Sequence, residues 1–90
     1  MSPSVPYSVT IAPSARRALQ RLPEKVASAC VEFILGPLAD NPHRVGKPLN
    51  GPLAAYHAAR RGAYRIVYRI DDANHSLTVV RIDHRADVYR

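Results

Sequence analysis

The chain has 90 residues, with thirteen Lys and Arg against seven Asp and Glu, a formal net charge of +6. A hydrophobic fraction of 47% is too high for a disordered chain, and this length builds one hydrophobic core, so a single domain spanning residues 1–90 is expected. The lone Cys30 excludes an internal disulfide, no Cys/His cluster suggests a metal, and no segment reads as a signal peptide or a bilayer span, so a soluble cytoplasmic protein is expected. Eleven of the thirteen cations are arginines, whose planar fork suits phosphates. Polyanionic partners follow, either nucleic acid or an acidic protein.

Residues 1–6, with two prolines and two serines, form a loose leader. Tyr7 to Ile11 alternates apolar and polar residues, the pattern of a half-buried strand. Pro13-Ser14 ends it, and Ser14 is a candidate helix cap. Ala15, Ala18, Leu19 and Leu22 then recur at helical spacing, with Arg16, Arg17, Gln20 and Arg21 on the other side. Pro23 and Glu24 suit the first turn of a second helix, whose stripe is Val26, Ala29, Cys30 and Phe33. The two helices form an antiparallel hairpin, and the second stops at Gly36-Pro37 or runs on toward Leu38.

Residues 36–53 hold four prolines and three glycines and read as a long ordered loop. Tyr56 to Arg61 is a candidate strand, followed by a turn at Gly62. Tyr64 to Ile70 is another, with Tyr64, Ile66, Tyr68 and Ile70 on one face and Arg65, Val67 and Arg69 on the other. After a turn over Asp71 to His75, Leu77 to Asp83 makes the last strand. The order β-α-α-β-β-β predicts an α+β fold, an antiparallel sheet with the N-terminal helical hairpin packed on one face.

If Tyr64 and Ile66 point at the helices, Arg65 and Arg69 point away from them. Arg60, Arg61 and Arg85 arrive from neighbouring elements to make a cationic surface suited to phosphodiesters. For Arg69, pairing with Asp71 or Asp72 is the preferred reading. The tail places His84, Arg85 and Tyr89 within six residues, a set able to move protons and stabilise a charged phosphate. On the residues alone, the preferred reading has His84 paired with Asp83 or Asp87 and Tyr89 packed on the sheet. Gly46-Lys47 lacks the rest of a phosphate loop, which leaves Lys47 as a backbone contact. Cys30 lies on an apolar stripe and reads as core. There is no carboxylate pair to support acid–base work.

Taken together, Tyr7-Ser-Val-Thr-Ile11, Ala15-Arg-Arg-Ala-Leu19 with Leu22-Pro23, Gly46-Lys-Pro-Leu49, Ala59-Arg-Arg-Gly62, Tyr64-Arg-Ile-Val-Tyr-Arg-Ile70 and His84-Arg85 with Tyr89 resemble the RelE/ParE superfamily. These are the toxins of bacterial type II toxin–antitoxin modules, and the likeness is greatest to the RelE branch of actinobacteria. The resemblance implies a ribosome-dependent mRNA endonuclease that needs no metal or other cofactor. It would turn a 2′-hydroxyl of A-site mRNA on the next phosphate. Arg65 would stabilise the phosphorane, with Arg60, His84, Arg85 and Tyr89 completing the catalytic set. Lys47, Arg61, His57 and Arg44 would bind RNA. His84 is the first candidate base and His57 the second. The resemblance also implies a RelB-like antitoxin that silences the toxin and holds the pair on operator DNA, with no membrane partner. The alternatives are a ParE-like inhibitor of DNA gyrase and a non-catalytic module that binds antitoxin or nucleic acid.

Overall fold

In the computed structural model, residues 5–84 are described. The elements are β1 (Ser8–Ile11), α1 (Pro13–Arg21), α2 (Glu24–Phe33), a wide π-helical turn (Ile34–Leu38), α3 (Pro42–Val45) and β2 (Lys47–Pro48). A short 3₁₀ turn (Gly51–Leu53) leads to β3 (His57–Arg61), β4 (Tyr64–Asp71) and β5 (Ser76–His84). The five strands form one sheet in the order β1-β5-β4-β3-β2. β2 to β5 run antiparallel, while β1 lies parallel to β5, with Val9 opposite Leu77. A parallel neighbour requires the chain to cross back over the sheet, and α1, packed on β5, lies in that crossing.

The alternation in β4 buries one face as expected. Ile66 and Tyr68 join Leu77, Val79, Ile82 and Ala59 in a core closed by Ala15, Ile34 and Leu38. Ile34 and Leu38 reach that core because α2 does not stop at Gly36-Pro37. Proline has no N–H to give the helix, and the chain accommodates it by widening into the π turn, after which Asn41 N–H bonds the Pro37 carbonyl at 3.2 Å. Ser14 does not cap α1. Ala12 holds the cap position, and the Ser14 hydroxyl donates to the Val80 carbonyl at 2.8 Å instead. Part of the expected loop is ordered into α3 and β2, and Gly46 lies between them with no room for a side chain. A Cβ there would strike the Tyr68 hydroxyl and come within 2.9 Å of the Ala58 carbonyl. That hydroxyl is buried and donates to the Pro42 carbonyl at 2.6 Å. Burial pushes its pKa up to about 12.

Strand β5 departs from simple alternation. Val67 is paired with Arg81 but Tyr68 with Val79, so Val80 is an extra residue, a β-bulge. Leu77, Val79 and Ile82 can therefore all face the helices. The bulge also decides which residues near the end of the strand face away from them.

Candidate functional site

The helices cover one face of the sheet, and the other carries the charge. Arg60 and Arg65 are directly opposite each other on β3 and β4, and the next partner across the sheet from Arg65 is Asp83 on β5. On the neighbouring rung, Lys47 of β2 is paired with Ala58 of β3 and points to the same side. Lys47, Ala58, Ala59, Arg60 and Arg65 line a cavity of about 370 Å³. Like charges facing each other across a sheet are destabilising, so the Arg60–Arg65 pair opposes folding unless an anion lies between them. Arg65 Nε is moreover buried with no hydrogen-bond partner among the described residues.

The structure brings together only part of the expected set. Arg61 is paired with Tyr64 on the helix side, where it lines a separate cavity with Lys25, Cys30 and Gly62. His57 also faces that side. Its ring stacks on Tyr68 at 5.7 Å and meets His43 edge-on at 5.7 Å. Burial, and then His43, hold its pKa below the ordinary histidine value. Arg44 is exposed on α3 and does not line the cationic cavity. His84 is paired with Tyr64, and the two rings meet edge-on at 5.0 Å. Straight alternation from Leu77 and Val79 would turn His84 outward beside Arg65, but the bulge shifts the count by one and turns out Asp83. Arg85 and Tyr89 lie outside the described residues.

Arg81 and Asp83 occupy the arginine face without having been anticipated. Arg81 Nε donates to Asp83 Oδ1 at 3.0 Å and lies 2.8 Å from Oδ2. The signal was present in the spacing of Leu77, Val79 and Ile82, where a step of two is followed by a step of three. Arg69 is exposed on the same face, and its charge helps hold Asp71 low, after the hydrogen bonds from Asn74. Asp72 instead accepts bonds from Tyr7 at 2.6 Å and from His43 at 2.9 Å, which lower its pKa. The Cys30 thiol is buried and its pKa raised by that burial, which suits packing rather than nucleophilic attack. Among the described residues, no group of His, Cys, Asp and Glu is arranged to hold a metal, and no helix is long and apolar enough to cross a membrane.

Comparison with known proteins places this geometry. The profile of the family described as ParE toxin of type II toxin-antitoxin system, parDE, matches residues 9–89. Toxin RelE of Mycobacterium tuberculosis is 56% identical over 90 residues, covering all of this chain and 93% of that protein. Toxin RelG of the same organism is 50% identical over 86 residues, covering 96% of this chain and 99% of that one. Among solved structures, the toxin–antitoxin complex RelBE2 from M. tuberculosis contains a chain that superposes with a TM-score of 0.87. That chain is 51% identical, and the match covers 92% of this chain and 95% of that one. With its sheet, its helical cover and nearly its whole length matched, the chain belongs to the RelE/ParE family of type II toxins.

Proposed function

We propose that this toxin is a ribosome-dependent endoribonuclease that cuts mRNA in the A site. The observation that carries the reading is the Arg60–Arg65 pair, two guanidinium groups opposed across the open face with Lys47 on the same cavity. Such a set suits a phosphodiester, whose charge removes the repulsion and whose oxygens accept hydrogen bonds from guanidinium groups. In the reaction the 2′-oxygen attacks the adjacent phosphorus, the bond to the 5′-oxygen breaks, and the products are a 2′,3′-cyclic phosphate and a 5′-hydroxyl. The 2′-proton leaves as the attack proceeds, and the departing 5′-oxygen gains one. Catalysis comes from alignment of the three reacting atoms and from cationic stabilisation of the phosphorane. Arg65 is assigned the stabilising role, and Arg60 and Lys47 hold the flanking phosphates. Arg85 and Tyr89 keep the roles that family resemblance gives them. The two histidines expected as bases, His84 and His57, face the helix side and are not assigned that role.

The partner follows from the same charge. The similar chain of the RelBE2 structure is part of a toxin–antitoxin complex. A RelB-like antitoxin with an acidic segment would cover the arginine face, and the pair would contact operator DNA through the antitoxin in the bacterial cytoplasm. Toe-printing of mRNA on translating ribosomes tests the activity. The wild-type chain is expected to cut within A-site codons, and Arg65→Ala to cut about 100- to 1,000-fold more slowly with its fold intact. The family profile carries the ParE name, which makes gyrase inhibition the second reading. An SOS response without mRNA cleavage would decide for it.

A further inference from the structure

A second cavity lies on the same open face, sharing Arg65 with the cationic one. It encloses about 180 Å³ and is lined by Leu53, Tyr56, Val67, Val80 and Arg81 as well as Arg65. Its character is different. Val67 and the bulged Val80 give an apolar floor, while Leu53 and Tyr56 rise beside it from the chain that leads into β3. Leu53 is 49% exposed, among the large apolar side chains that the fold leaves open to solvent. Arg81 adds a guanidinium to the lining. Its side chain is 69% exposed, yet its Nε is anchored at 3.0 Å by the Asp83 carboxylate, itself only 15% exposed, which holds the guanidinium plane in place.

An apolar floor, an aromatic ring and an oriented guanidinium make a site for a flat heterocycle, since both the ring and the guanidinium offer stacking faces. The volume is below the roughly 300–1,000 Å³ of drug-sized pockets, which suits one base and no more. The shared Arg65 sets the distance, because a strand whose phosphate lies on Arg65 carries a base within one nucleotide of this cavity. The flanking cations also favour a ligand that brings negative charge beside its apolar surface.

We propose that the Tyr56–Arg81 cavity is a nucleobase subsite, which receives the base next to the phosphate held by Arg65 and so sets base preference at the cut. The proposal rests on the endoribonuclease reading and specifies the substrate contact that gives it selectivity. Asp83 acts in it as a positioning residue, through Arg81.

The test uses ribosomes programmed with mRNAs that vary all four bases at each A-site position. Against the wild-type profile, Tyr56→Ala should lower cleavage at preferred bases roughly 5- to 100-fold and flatten the preference at one codon position. Leu53→Ala, at a half-exposed site, should flatten the same position and serves if Tyr56→Ala fails to fold by circular dichroism. A folded variant with an unchanged profile overturns the proposal. So does one that loses only antitoxin affinity, since the cavity would then receive a protein side chain. A second measurement is independent of turnover. The chain has no tryptophan, so Tyr56→Trp introduces a single indole reporter. At low salt, a short RNA with a 2′-deoxy block at the cut should quench it, and the same strand with an abasic site should not. Equal quenching by two strands that anisotropy shows to be bound sinks the subsite alone. Absence of both binding and ribosomal cleavage sinks the nuclease reading with it.

Discussion

At the scale of single residues, Gly46 and Arg60 place opposite demands on the fold. Gly46 is required for space and not for an unusual backbone angle, since its φ is −105°. The atoms a methyl group would meet there are the hydroxyl of a buried tyrosine, already bonded to Pro42, and a backbone carbonyl of β3. The hydroxyl cannot retreat without breaking its hydrogen bond, and the carbonyl belongs to the backbone of a paired strand. Gly46→Ala should therefore cost about 1–3 kcal/mol, seen as a lower melting temperature at unchanged secondary structure. The glycine of the Gly-Lys-Pro-Leu run thus supports the sheet edge that carries Lys47. Arg60 is the converse case. Facing Arg65 across the ladder, it opposes stability, so Arg60→Gln should raise stability by about 0.2–1 kcal/mol while weakening cleavage. Thermal melts and toe-printing on the same preparation check both halves. A loss of stability would argue that the pair is held by contacts within the protein and is not reserved for a ligand.

At the scale of elements, the ends of the strands are tied by polar groups with opposite charge demands. Asp72, in the turn after β4, accepts from Tyr7 ahead of β1 and from His43 on α3. Its pKa is lowered, chiefly by the Tyr7 hydrogen bond and then by His43, from an ordinary value of 3.8. A carboxyl with a lowered folded pKa stabilises the protein above its ordinary value, and that contribution is lost as pH falls through the folded pKa. Asp72→Asn should accordingly lower the melting temperature at pH 7, and the gap from wild type should close as pH falls below 3.8. His57 acts in a second window. Burial lowers its pKa below 6.5, so its neutral form stabilises the fold above that value and the contribution fades as pH falls below it. Melts across pH separate the two groups, because the histidine limb should survive in Asp72→Asn.

At the scale of the whole molecule, charge is divided between two faces. Lys47, Arg60, Arg65, Arg69 and Arg81 share the open face of the sheet, while Arg61 and the histidines at positions 57 and 84 look toward the helices. RNA association should fall steeply with salt, because each neutralised phosphate releases counterions. Removing Arg60 should reduce the log–log slope by about 0.7, one phosphate contact on a single strand. Anisotropy of a labelled strand between low and moderate salt measures it. A slope that Arg60→Gln leaves unchanged would place the phosphates elsewhere.

Apart from α3 and β2, which form within the expected loop, the sequence by itself determined the α+β class, the leading strand with its two helices, the three C-terminal strands and the inner and outer faces of β4. Those follow from periodicities of 3.6 and 2 in local stretches, and Tyr64-Arg-Ile-Val-Tyr-Arg-Ile70 shows its period without ambiguity. It also placed Arg60 and Arg65 on one cationic surface, together with Arg61, which the pairing with Tyr64 turns to the other face. Only the tertiary structure decided which late residues join them. One extra residue at Val80 reverses the inside–outside count on β5, turning His84 toward Tyr64 and bringing Asp83 beside Arg65. A bulge is defined by the partner strand, and no single strand read alone contains its partner. For the same reason the parallel seat of β1 against β5 was not legible, and the choice between a stop at Gly36-Pro37 and a run on toward Leu38 stayed open, since both depend on the core those segments help to close.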